Sequence, residues 1–208
     1  MPTRTLLAVA RLAAGGLLVA AGTMTGAASA APARTLTVTN AGYSPASVSV
    51  PYGTRITWSF RQGTHSVTDA TRLGLFNSRA KPPGTAYAYT FINSGSFPYR
   101  STVGTAIRGT VVVPMTVIPT TGSRTTYFAV QWGSGYTRAG YNETVELKTP
   151  GSTAWTSFVF AAPVKDATMR PADWSNRTGV YQFRAKLIKG LNHDVSSGWS
   201  PIARITVR

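Results

Sequence analysis

Hydrophobic and polar residues alternate along most of the chain with a period of two, the pattern of half-buried β-strands. The alternation occurs in short segments that end in Gly, Pro, Asn or Ser. A first series comprises Thr35–Asn40, Val48–Val50, Ile56–Phe60, Tyr87–Ile92, Ser96–Tyr99 and Thr110–Val113. A second comprises Thr125–Trp132, Thr144–Lys148, Phe158–Phe160, Val180–Ile188 and Ile202–Val207. No helical period is sustained, so the pattern predicts an all-β protein made of two β-sandwiches in tandem.

Prolines separate the two series. Pro114 and Pro119 bracket a short apolar segment, so we expect one sandwich in residues 31–115 and a second in residues 116–208. The link is too short for a free linker, and we therefore expect the two domains to touch.

The first thirty residues have the pattern of an export signal. Arg4 precedes an apolar stretch from Leu12 to Ala21, and a small-residue tract ends at Ala28-Ser29-Ala30. We expect a signal peptide that is cleaved after Ala30, which predicts a secreted protein. A membrane anchor is the alternative, but glycines interrupt the apolar run before it reaches spanning length. No later segment is apolar enough to span a bilayer.

The composition restricts the available chemistry. The 208 residues contain no cysteine, two histidines and six acidic residues. Disulfides, thiolate metal sites and cysteine nucleophiles are thereby excluded. Glu143 and Glu146 are three residues apart, so on one strand they point to opposite faces and cannot act as a glycosidase pair. Nucleophile-elbow and phosphate-loop motifs are absent from the sequence, and we expect His193 and Asp194 in a loop between strands. We therefore expect no enzyme activity.

The charge is strongly positive, +15 overall. Residues 31–115 hold eight basic residues and one acidic residue, and residues 116–208 hold eleven and five. No run of like charges occurs, so we expect no nucleic-acid partner. An anionic cell-envelope polymer or an extracellular protein is the expected partner, and solubility alone is the other explanation for the charge.

Residues 35–113 resemble the cupredoxin (plastocyanin-like) family. The resemblance rests on Gly42-Tyr43-Ser44-Pro45, Thr64-His65-Ser66-Val67, Gly95-Ser96-Phe97-Pro98-Tyr99 and Gly109–Val113. It implies a Greek-key sandwich that carries a copper site.

The resemblance also identifies the positions of the copper ligands. His65 stands at the first histidine ligand, whereas Ser101, Gly104 and Ile107 stand where the family has cysteine, histidine and methionine. A blue-copper centre needs two imidazoles and a thiolate, so we expect no copper and no other cofactor. Two uses of His65 stay open: a residual metal ligand, with His193 or Asp69, or an inherited position held by hydrogen bonds. A copper electron carrier is the rival function.

The segment Thr68–Gly84 is a long loop in this resemblance. It places the basic residues Arg72, Arg79 and Lys81 beside Leu73, Leu75 and Phe76. The basic side chains could form a binding face, while Leu75 and Phe76 could instead tuck into the sandwich.

Residues 116–208 resemble fibronectin type III domains, a branch of the immunoglobulin-like sandwiches. Trp132 matches the core tryptophan, Tyr181 the tyrosine corner and Ser197–Pro201 the Trp-Ser element before the last strand. Alternation turns Tyr181, Phe183, Ala185 and Leu187 inward and Gln182, Arg184 and Lys186 outward. We expect Trp199 to stack on Arg184 or Lys186.

Trp155 and Trp174 fall near turns, outside the core pattern. Exposed tryptophans of an exported sandwich can stack on sugar rings, so a glycan-binding, adhesin-like module is a further alternative. The other interpretation packs both rings at the ends of the sandwich. The sequence favours a non-catalytic binding or structural protein.

Overall fold

The protein consists of four β-sheets in its computed structural model, which describes residues 31–208 except for the Asn192 side chain. The first half of this range contains β1 (Ala33–Thr39), β2 (Gly42–Ser44), β3 (Ser47–Ser49), β4 (Thr54–Phe60), β5 (Thr68–Asp69), β6 (Ala86–Phe91), β7 (Gly95–Arg100) and β8 (Arg108–Val113). The predicted signal peptide lies outside the described residues.

The second half adds nine strands and a short 3₁₀ helix within the described range. The strands are β9 (Thr116–Ile118), β10 (Thr121–Gly122), β11 (Phe128–Gln131), β12 (Tyr141–Lys148), β13 (Thr156–Ala162), β14 (Asp166–Met169), β15 (Gly179–Lys189), β16 (Asn192–Ser196) and β17 (Ala203–Val207). The 3₁₀ helix is Pro171–Asp173. The predicted all-β class is confirmed. In residues 31–208, no helix has the length and apolar character needed to cross a membrane.

The first half has two sheets, with strand orders β2-β1-β4-β6 and β3-β8-β7-β5. β1 runs parallel to β4, and β7 and β8 form an antiparallel hairpin. Alternate residues of β4 are fully buried, which follows from the period of two in its sequence. Trp58 is at the centre of an aromatic cluster and contacts Phe76, Tyr87, Phe91 and Tyr99.

The second half pairs a sheet of order β14-β11-β9 with a sheet of order β10-β17-β15-β12-β13, to which β16 adds at β15. Trp132 is buried in its core, and its indole N–H donates to the Val164 carbonyl at 2.7 Å. Tyr181 is also buried, with its hydroxyl donating to the Arg177 carbonyl at 2.9 Å. The alternation predicted for β15 is confirmed, because Tyr181, Phe183 and Ala185 are fully buried.

Residues 31–208 form one compact unit with two hydrophobic cores. Backbone hydrogen bonds join the halves: Ser96 and Gly198 exchange two bonds of 2.9 Å, and Ser94 N–H donates to Trp132 C=O at 2.7 Å. Leu187 is buried as predicted, but it packs in the first core rather than the second. The reason is that β15 has eleven residues and extends past its own core.

The sequence prediction for His193 and Asp194 is wrong. They were expected in a loop between strands, but they lie in β16, which pairs with the end of β15. β14 was also not predicted from the sequence. Its four residues, Asp166–Met169, are in turn exposed, half-buried, exposed and buried, and the strand is too short for a period of two to be recognised in the sequence.

Candidate functional site

His65 is a buried side chain held by the surrounding loops. Its backbone pairs with Lys81, whose N–H donates to the His65 carbonyl at 2.8 Å. The imidazole Nε2 lies 3.0 Å from Asn40 Oδ1. Nδ1 is buried and has no hydrogen-bond partner among residues 31–208. Thus one ring nitrogen is used within the fold and the other is not.

The structure brings Gly104 next to this ring and folds Ser101 against the same segment. A Cβ on Gly104 would lie 3.5 Å from His65 Nδ1 and 2.5 Å from the Thr64 carbonyl oxygen. Ser101 Oγ accepts a 2.9 Å bond from the Ser66 N–H, and Ser101 N–H donates to the Ile107 carbonyl at 3.0 Å. The hydroxyl of Ser101 and the absent side chain of Gly104 therefore serve loop packing.

Two arginines face each other at the base of the loop of residues 101–107, which joins β7 to β8. Arg100, the last residue of β7, is directly opposite Arg108, the first residue of β8. Both side chains are exposed, and neither takes part in an ion pair within the described range, whose ion pairs are Lys165–Asp166, Arg170–Asp173 and Arg184–Glu146. Both border a cavity of about 310 Å³ whose lining includes Ser101, Thr102 and Gly104.

Sequence reasoning missed this arginine pair. The available signal was the spacing: Arg100 and Arg108 flank a seven-residue segment between two strands, which makes them cross-strand neighbours if the strands form a hairpin. That register depends on the tertiary fold, because Arg100 alone could have ended its strand facing either sheet surface.

The long loop divides its residues between the surface and the core. Arg72 and Arg79 are exposed and Lys81 is half-buried. Leu73, Leu75 and Phe76 are buried in the first core. The only acidic residue of the first half, Asp69, is used locally: its carboxylate accepts bonds from the N–H groups of Thr71 at 2.8 Å and Leu75 at 3.0 Å.

Cationic and aromatic side chains alternate on the outer face of the β12-β15 pair. The Arg184 guanidinium lies 4.3 Å from the Trp155 ring and 4.2 Å from the Trp199 ring. Lys148 stacks on Trp155 and Lys186 on Trp199, each at 5.0 Å. The predicted stacking of Trp199 is confirmed. Trp155 is half-buried, and its ring is stacked on Arg184 and Lys148.

Trp174 has a different environment. Its side chain is 42% exposed, and its ring packs against Phe158 with centroids 5.3 Å apart. The structure therefore does not bring Trp155 and Trp174 together, and each has a local packing partner.

Glu143 is an unexpected buried carboxylate near the junction of the two halves. It is fully buried, and burial raises the pKa of its carboxyl well above the usual range. The side-chain amide of Asn93 lowers this pKa in part. Even so, neither carboxylate oxygen has a hydrogen bond of ordinary geometry among residues 31–208.

The similarities to known proteins are confined to solved structures. No protein-family model and no curated protein matches this chain. The purple cupredoxin from Nitrosopumilus maritimus is 22% identical, with 38% of this chain and 97% of that chain covered and a TM-score of 0.34. A reduced amicyanin variant is 28% identical, with 39% and 81% covered and a TM-score of 0.35. A copper-containing nitrite reductase from Thermus scotoductus is 19% identical, with 39% and 22% covered and a TM-score of 0.36.

The donor set around His65 does not fit a type 1 copper centre, which needs two imidazoles and a thiolate. The sequence has no cysteine. The other histidine, His193, stacks on Phe160 in the second half, with ring centroids 5.1 Å apart. In residues 31–208 no three His, Cys, Asp or Glu side chains cluster closely enough to hold a metal ion.

Proposed function

We propose that this chain is an exported, non-catalytic binding protein that attaches to anionic polymers outside the cytoplasm. In this proposal a cupredoxin-like sandwich without type 1 copper is followed by a fibronectin type III-like sandwich. The observation that carries the proposal is the Arg100–Arg108 pair beside its cavity.

Two like charges directly opposite each other in a sheet destabilise it. A carboxylate partner would relieve the repulsion. The strand paired with β7, β5, contributes Asp69, but the carboxylate of Asp69 accepts hydrogen bonds from loop N–H groups. An external phosphate, sulfate or carboxylate group has two or more oxygens, which can accept a bidentate pair of hydrogen bonds from a guanidinium. The arginine pair is therefore suited to one anionic group of a polymer.

The remaining charge of the first half supports the same proposal. Apart from this pair, residues 31–115 hold six basic residues and one acidic residue, which create a positive field around this half of the molecule. Such a field raises the association rate with an anionic polymer, and it adds an electrostatic attraction that weakens as the salt concentration rises. Attachment should accordingly weaken as the ionic strength rises.

The test compares two double variants of equal net charge. Arg100→Ser with Arg108→Ser removes the pair, while Arg34→Ser with Arg55→Ser removes two exposed arginines from the other sheet. Binding to immobilised polyphosphate, dextran sulfate and polygalacturonate is measured over a range of salt concentrations. We expect the first double variant to bind at least about tenfold more weakly and the second to lose much less.

Equal losses in the two variants would show that only net charge matters and would remove the assigned site. Salt-insensitive attachment, or none to any of the three polymers, would overturn the proposed function. Thermal unfolding of each variant checks that the fold is intact, and the three polymers distinguish phosphate, sulfate and carboxylate as the anionic group.

A further inference from the structure

A second cavity, of about 310 Å³, lies on the outer face of the sheet that contains β12, β13 and β15. Its lining includes the aromatic rings of Phe160 and Trp199 and the polar side chains of Thr144, Glu146, Lys186 and His193. Concave sites of this volume that combine aromatic surface with a few polar groups are typical of small-ligand sites. This cavity has no part in the anionic attachment proposed above.

A distortion of β13 turns the Phe160 side chain toward solvent. The pairing of β13 with β12 shifts register twice, between Glu143 and Val145 and between Val145 and Glu146. Ala161, the next residue along β13, has a φ of 46°, in the left-handed region that non-glycine residues rarely adopt. Bulges of this kind re-aim side chains, and Phe160 is 66% exposed as a result. A strained backbone that turns a phenyl ring outward points to a use for the ring outside the core.

One face of the Phe160 ring is already taken. The His193 ring stacks on it, with ring centroids 5.1 Å apart and planes at 29°. This contact fixes the phenyl ring in position and leaves its other face to a ligand. A flat, exposed aromatic face matches the apolar C–H face of a pyranose ring.

Two polar atoms at the cavity lack partners. Thr144 is only 5% exposed, and its Oγ1 has no hydrogen-bond partner in the described part of the chain. The same holds for Nε2 of His193. Buried polar atoms without partners are rare and costly. Because both residues border the cavity, a hydroxyl-bearing ligand in it is the natural source of the missing hydrogen bonds.

The charged side chains at the cavity already have partners within the fold. Glu146 is paired with Arg184, whose Nη2 lies 2.6 Å from the carboxylate. Lys186 Nζ reaches Ser196 Oγ at 3.4 Å and the His193 carbonyl at 3.5 Å. The site thus offers both hydrogen-bond donors and hydrogen-bond acceptors, which suits the hydroxyl groups of a ligand.

We propose that this cavity is a carbohydrate-binding site that takes one neutral pyranose unit, with the sugar ring against Phe160 and its hydroxyls toward Thr144, Glu146, Lys186 and His193. The site differs from the one that sequence reasoning considered for glycans. Trp155 is stacked on two cations, and Trp174 is less exposed than Phe160, 42% against 66%.

The experiment follows the indole N–H resonance of Trp199 in the full chain while cellotetraose or chitotetraose is added to millimolar concentrations. We expect a saturable shift with at least one of the two sugars. Phe160→Ala should weaken binding at least tenfold, and Tyr136→Ala, which removes another exposed aromatic ring, should leave it unchanged. Thr144→Val, which keeps the shape and removes the hydroxyl, should also weaken binding.

The Thr144→Val variant separates a ligand site from a packing defect. If no ligand uses the hydroxyl, the variant binds sugar like the parent chain and only gains thermal stability, which would overturn the proposed role of Thr144. Absence of any saturable shift with both sugars, or unchanged binding by Phe160→Ala, would overturn the site itself. The Arg100 and Arg108 variants should bind sugar normally, so failure here is distinguishable from failure of the anionic attachment.

Discussion

Glu143 and Asn93 are buried together near the junction of the two halves, with Glu143 on β12 and Asn93 just after β6. On the neighbouring strands Glu143 is paired with Leu187 and Ala162, so apolar side chains flank the carboxyl group. Among residues 31–208, the Asn93 amide alone counteracts the rise in the pKa of Glu143. A carboxyl group in this environment favours its neutral, protonated form.

The first prediction concerns the pH dependence of stability. Above an unfolded-state pKa of about 4.3, the unfolded chain loses the Glu143 proton while the folded chain retains it. The free energy of unfolding should therefore fall as the pH rises toward the folded-state pKa, with a limiting slope of about 1.4 kcal/mol per pH unit. Glu143→Gln should remove this fall and be more stable than the parent chain at pH 7 but not at pH 4.

Denaturant unfolding of both proteins across this pH range provides the measurement. Glu146→Gln is the matched control, because Glu146 is only half-buried and is paired with Arg184. Parallel stability curves for the parent chain and Glu143→Gln would contradict a protonated buried carboxyl group.

The second prediction concerns Gly104, whose φ is 68°. An alanine there meets both a left-handed backbone and the Thr64 carbonyl oxygen at 2.5 Å. Gly74 has a similar φ of 74° but open space around it. Gly74→Ala should cost about 1 kcal/mol, and Gly104→Ala should cost clearly more in thermal unfolding. Equal losses would mean that the loop yields to the added methyl group without strain.

The third prediction concerns Arg184, which is stacked between Trp155 and Trp199. Lysine keeps the charge but loses the planar stacking and the paired contact with Glu146. Arg184→Lys should lower the free energy of unfolding by about 1–2 kcal/mol. Arg204→Lys, at an exposed position of β17, should have almost no effect. A similar response from both variants would show that the stack adds nothing beyond its charge.

The fourth prediction concerns copper. Because the chain has no thiolate, added Cu(II) should produce no intense visible charge-transfer band. His65→Gln retains a group able to bond to Asn40, and calorimetry should find the same weak copper binding in this variant and the parent chain. Tight, stoichiometric binding that His65→Gln abolishes would establish a metal site and revive the copper-carrier alternative.

Local alternation was enough to predict much of this protein. In β4 and β15 a hydrophobic residue at every second position leaves only one way to bury a face, so the all-β class and the inward residues Tyr181 and Phe183 follow from the chain alone. The stacking of Trp199 followed as well, since Arg184 and Lys186 had to point outward from the same strand.

Tertiary structure decided everything that depends on two distant segments meeting. Leu187 packs in the first core because β15 extends past its own sandwich. Glu143 is fully buried near the junction of the two halves, where water does not reach its carboxyl group. The Arg100–Arg108 pair and the bulge that exposes Phe160 are matters of strand register. Period-two patterns specify which face of a strand is buried, whereas register and docking depend on partners that lie far away in the sequence.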